Sequence, residues 1–198
     1  MDARNSRFNQ VTLAMVILLF LFSLFYFTYL SWSVENELNL WILLLNGFIL
    51  MIPLGLLYGG LYLLVTVWRQ RQLSGQIDPK SVNLIHWAPR LAAILIIFFF
   101  SLFSLDVFSE KASPLVIIGG LIMHNIPSIA MIVALIFAWR RPLVGFFVFL
   151  LAGLFFLGFV ILRQNLKNLE QICLLSAPLL IVSVLFYADW RWIKKPVD

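Results

Sequence analysis

The chain has 198 residues, 63% of them hydrophobic and 12% charged, with a mean hydropathy of +1.01. A soluble domain carries roughly 25% charged residues and must cover its surface largely with polar or mixed side chains, so this composition excludes a water-soluble globule and makes lipid the solvent. The net charge of +5 does not point to nucleic acid, because the basic residues stand at the ends of apolar runs instead of forming a patch.

A helix needs about 20 apolar residues to cross a hydrocarbon core of roughly 30 Å. The first such run, 11–32, follows Arg4 and Arg7 but lacks a small-x-small cleavage site, so it reads as a retained anchor and not a signal peptide. The second, 41–68, is long enough to tilt or to bend at Pro53, and it carries Gly55 and Gly59 at the small-xxx-small spacing that lets another helix approach. A polar stretch with Gly75 and Pro79 follows, which divides the chain into a two-helix hairpin (1–70), a linker (71–83) and a four-helix module (84–198). The remaining runs are 87–108, 114–138, 143–162 and 172–187. The fifth carries Gly145 and Gly153 two turns apart. Uninterrupted apolar sequence such as 91–100 excludes the alternating pattern of a transmembrane barrel. The predicted fold is all-α, a polytopic membrane helical bundle of about six transmembrane helices.

Lys and Arg set the orientation, because positive charge is retained on the cytoplasmic side. Eleven fall on the side of the termini: Arg4, Arg7, Arg69, Arg71, Lys80, Arg90, Arg140, Arg141, Arg191, Lys194 and Lys195. Three, Lys111, Arg163 and Lys167, fall on the other. Both termini are therefore expected to be cytoplasmic. All seven tryptophans lie at span ends, where indole rings prefer the water–lipid interface.

Four segments carry a family resemblance: Leu105-Asp106-Val107-Phe108-Ser109-Glu110, His124-Asn125-Ile126-Pro127, Ala138-Trp139-Arg140-Arg141 and Ser176-Ala177-Pro178-Leu179-Leu180. Over roughly residues 84–192 the chain resembles a family of small, uncharacterised prokaryotic four-helix integral membrane proteins. The resemblance implies a four-helix module in a prokaryotic plasma membrane and supplies no activity.

Polar groups deep in a bilayer are costly and usually face a partner, a cavity or the interface. If Arg90 snorkels to the inner interface, Asp106 lies about 24 Å further along the helix, near the outer one, with Glu110 one turn beyond it. This places both acids in an interfacial cap beside Lys111. His124 lies about 15 Å beyond Pro114, near the midplane. Asn125 adjoins it, and Pro127 has no amide proton for the Met123 carbonyl. Asp106, Glu110, His124 and Asn125 form the candidate intramembrane polar site, and Gly55 and Gly59 the candidate packing face. Arg140 and Arg141, beside Pro142, suit anchoring to anionic head groups.

With Cys173 as the single cysteine and two histidines, neither a disulfide framework nor a zinc cluster is expected. No phosphate-binding glycine loop, His-Glu-x-x-His, Gly-x-Ser-x-Gly or CxxC pair is present, so no enzyme chemistry, catalytic residue, cofactor or metal is expected. The expected role is that of a structural or accessory membrane protein, partnered by the lipid bilayer and by another membrane protein or itself. The alternative is a small transporter or proton-coupled conduit around His124.

Overall fold

A computed structural model of the chain describes residues 3–34, 40–102, 104, 113–164 and 172–193. These form six long helices and no strand: α1 (Ala3–Val34), α2 (Leu40–Ser74), α3 (Pro79–Leu102), α4 (Pro114–Arg140), α5 (Pro142–Gln164) and α6 (Ala177–Trp192). A π-helical turn, Ile172–Ser176, leads into α6. Together with this turn, every helix is long and apolar enough to cross a membrane.

Local sequence explains the helix ends. Gly75 adopts φ 66°, the left-handed conformation glycine takes at little cost, and it closes α2. Three residues later Asp78 caps α3, its Oδ1 accepting the Lys80 amide at 3.3 Å, and Pro79 takes the first helical position, where its missing N–H costs no intrahelical bond. The polar stretch 71–83, read as the linker, is helical over 71–74 and 79–83. Only residues 75–78 lie between α2 and α3, because Asp78-Pro79 is a strong helix start. Pro114 and Pro142 likewise take the first position of α4 and α5. Pro178 lies in the first turn of α6 and has no N–H for the carbonyl of Leu174, which accounts for the widened π turn just before it. Proline also occurs inside helices: α2 and α4 run through Pro53 and Pro127, and Pro53 is fully buried.

α6 is the central helix. It packs on α5, α3 and α2, and α4 packs on α3 and α5. A contiguous core of Val67, Ile85, Ile96, Phe100, Ala138, Phe149, Leu179 and Phe186 joins α2 through α6. Two glycines make the α5–α6 contact possible. A Cβ on Gly145 would meet the Phe186 ring at 2.7 Å, and one on Gly153 would meet the Leu180 side chain at 2.7 Å. Gly60 plays the same part for α2 against Ile181. By contrast, α1 rests mainly on α2, through Phe20, Leu24 and Phe27 against Leu50, Leu54 and Tyr58, with Ser23 Oγ and Tyr58 Oη hydrogen-bonded at 2.6 Å. The hairpin also touches the rest of the bundle through α2, which shares the core of α3 to α6.

Candidate functional site at the basic end

The start of α3, the α4–α5 turn and the end of α6 meet at one end of the bundle. Their meeting is built on Arg90, which is 2% exposed, and Asp189, which is 3% exposed. Arg90 Nη1 donates to Asp189 Oδ2 at 2.9 Å and also to the His86 carbonyl one turn back on α3; Nη2 donates to the Trp139 carbonyl at 3.2 Å. One guanidinium therefore ties together α3, α4 and α6. The Trp139 carbonyl lies in the last turn of α4, where acceptors lack helical donors and the dipole favours a cation. The Arg90 cation also lies 5.9 Å from the Trp139 ring centre, within cation–π range.

The second Asp189 oxygen, Oδ1, contacts Nδ1 of His86 at 3.2 Å. Because the carboxylate is an acceptor, this contact places a proton on Nδ1 and leaves the other ring nitrogen of a neutral imidazole as an acceptor. The His86 ring is 43% exposed and lines a cavity of about 880 Å³. Residues 139–144 of the α4–α5 turn form another wall, and Asp189, Trp190, Arg191 and Ile193 the third. Within the lining, Arg90 and Asp189 neutralise each other, and the exposed Arg140, Arg141 and Arg191 leave a positive excess among the described lining residues. Trp87 and Trp139 pack edge to face at 6.0 Å beside it. His86 and Asp189 are the side chains of metal-ligand type in this lining, and Asp189 already receives two donors; no group of three such side chains converges among the described residues.

Of the four polar residues singled out from sequence, His124 and Asn125 fall within the described residues. Asp106 and Glu110 lie outside the described residues. His124 is exposed on the outer side of α4, and its Nδ1 pairs with the Gly120 carbonyl at 2.9 Å; Asn125 Nδ2 donates to the Leu121 carbonyl at 2.9 Å. Both bonds are made to their own helix. Asn125 also lines a groove of about 520 Å³ between α3 and α4, with Ser101 and Ser128, and the buried Ser128 hydroxyl has no hydrogen-bond partner among the described residues. A Cβ added at Gly55 or Gly59 would meet nothing within 4 Å among the described residues, so this face of α2 is open to them.

Arg90 is not a free, solvated cation. It is buried in an ion pair, because Asp189 on the facing helix offers a carboxylate at the same level. Sequence reasoning missed Asp189 and His86. The available signal was the i, i+4 spacing of His86 and Arg90, which puts both on one face, together with the single acid near the end of the last apolar run on the same side of the membrane.

Six apolar membrane-length helices, five of them around a shared core, with a charged network at one end, define a multi-pass helical membrane protein. Residues 78–197 match the family described as Domain of unknown function (DUF7670), and the chain belongs to that family. The match begins at Asp78, so it takes in α3 to α6 and every residue of the basic-end network. No curated protein and no solved structure matches the chain.

Proposed function

We propose that this protein is an accessory component of the cell membrane, with both termini in the cytoplasm, that acts by holding another membrane protein or a second copy of itself and not by catalysis. The orientation rests on the distribution of Lys and Arg, eleven on the side of the termini and three opposite. The carrying observation is the contrast between glycines. Gly60, Gly145 and Gly153 are small because a neighbouring helix lies against them, whereas Gly55 and Gly59 have open space where a side chain would stand. A glycine inside a helix costs about 1 kcal/mol relative to alanine. The isolated bundle gains no close contact in return at these two positions, and a helix docking from outside would. Gly119 and Gly158 are open too, but neither has a glycine one turn away on its face.

A conduit reading draws its support from the α3–α4 groove with its unpartnered Ser128 hydroxyl; His124, the group that would relay protons, is not in the groove's lining. The binding reading is tested by native mass spectrometry of the full chain from mild detergent or nanodiscs. Wild type is expected in a complex larger than one chain, and Gly55→Leu with Gly59→Leu as a single chain of unchanged fold. A single-chain wild type, or an undiminished complex in the leucine variant, overturns the reading.

A further inference from the structure

We propose that the cavity at the basic end is a binding site for the phosphate ester of an anionic phospholipid head group. Three features converge on this chemistry. First, charge: Arg140, Arg141 and Arg191 are exposed residues of the lining, and Asp189, the acid in that lining, is already taken up by Arg90 and His86, so among the described lining residues the three guanidinium groups are in excess. Guanidinium groups bind phosphate oxygens through paired, charge-assisted hydrogen bonds.

Second, size and lining. At about 880 Å³ the cavity lies within the range of small-ligand sites, roughly 300–1,000 Å³, and far exceeds a bare phosphate. Beside the arginines its walls are apolar, from Trp139, Pro142, Leu143, Val144 and Ile193. A soluble anion would leave those walls in contact with water; a head group with its glycerol and first methylenes covers them. Third, depth. The cavity lies where helices end and indoles cluster, with Trp87 and Trp139 in contact and Trp190 in the lining, which is the signature of the head-group layer. Basic pockets between helices at this level take phosphate-bearing head groups.

The buried Arg90–Asp189 pair gives the site its rigidity. It fixes the α4–α5 turn through the Trp139 carbonyl and holds the His86 ring by Nδ1, so the remaining ring nitrogen is positioned along the cavity wall before any ligand arrives. General attraction of a basic surface to an anionic leaflet needs none of this arrangement, and the two can be separated experimentally. The inference does not depend on the Gly55–Gly59 face.

The test uses the full chain in nanodiscs of phosphatidylcholine with and without phosphatidylglycerol, followed by native mass spectrometry of retained lipid. Wild type is expected to retain one phosphatidylglycerol selectively. Arg141→Gln with Arg191→Gln, both exposed side chains, should weaken retention about ten-fold or more while thermal unfolding stays unchanged. A charge-matched pair on the same side of the bundle but outside the cavity, Arg71→Gln with Lys80→Gln, should retain the lipid as wild type does. Equal loss in the two pairs, or equal retention of phosphatidylcholine and phosphatidylglycerol, overturns the site in favour of general surface attraction. Inorganic phosphate and glycerol phosphate form the second arm. If they bind the lipid-free protein and displace phosphatidylglycerol, the lipid source is overturned and a soluble phosphate ester takes its place; failure to displace it supports the lipid.

Discussion

Two histidines stand in comparable sequence surroundings, each on an apolar helix a few residues from a proline, and the fold uses them in opposite ways. His86 reaches across to Asp189 on α6, and Arg90 on its own helix completes a network that includes the end of α4. His124 and its neighbour Asn125 bond to carbonyls one turn back on α4, and His124 stands on the outside of the bundle. Depth along the chain favours His124 as the functional group, since polar atoms near the midplane are costly. Convergence in three dimensions favours His86. A polar side chain can reduce its own cost by bonding to its own helix, and then it tells nothing about other helices. A charged side chain buried between helices must find its counterion on another element, so it reports on how those elements are joined.

The comparison is broken most easily at Asp189. Asp189→Ala removes the counterion from a guanidinium that is almost fully buried, and an uncompensated buried charge costs about 3–5 kcal/mol. Unfolding of the detergent-solubilised protein should show a loss of that size, and Arg90→Ala a similar one. Replacing both residues with apolar side chains should cost less than the two single changes added, because the surviving charge disappears with its partner. A single-variant loss below about 1 kcal/mol would mean that water or lipid head groups solvate the pair, and the basic end would then be no more a joint than His124 is.

The same distinction between inward and outward positions is sharpened by the glycines. Gly145→Ala drives a methyl into the Phe186 ring, in the contact between α5 and the central helix, and overpacking of this kind costs about 1–3 kcal/mol. Gly55→Ala meets open space, and the better helix propensity of alanine should make it neutral or slightly stabilising in the single chain. Thermal unfolding of the two variants side by side checks this. Equal effects would show that the inward and outward faces of α2 and α5 differ less than their contacts indicate.

The spans were legible in the sequence because hydrocarbon imposes a length and a composition on any helix that crosses it. As far as they are described, all six expected runs fall on the six observed membrane-length helices, with ends displaced by eight residues where Asp78-Pro79 starts α3 early and by five where α6 continues to Trp192. The closeness of Gly145 and Gly153 to a neighbouring helix was legible from their spacing. The basic-end network was not, for a physical reason. Arg90 reads as one more interfacial cation until the facing helix is known, and Asp189 stands among Trp190, Arg191 and Trp192, where an acid looks like ordinary head-group-layer polarity. Which helix faces which is decided by close packing of apolar side chains, as at Gly145 and Phe186, and a single apolar sequence contains little record of that choice.

The smallest expected effect is the most informative about function. His124→Ala removes a side chain whose visible bond is to Gly120 on its own helix, and an outward position of this kind should shift stability by no more than about 0.5 kcal/mol. In liposomes the same variant should leave any proton or solute flux at the wild-type level, because the groove between α3 and α4 is lined by Ser101, Asn125 and Ser128 and not by the histidine. A large loss of stability would mean that the imidazole meets something beyond this chain, either a partner helix at the midplane or a second copy of the bundle. Flux abolished with stability intact would return His124 to the centre of a conduit. The polar chemistry that matters would then lie on the outer face of α4, and the basic end would serve it only as a frame.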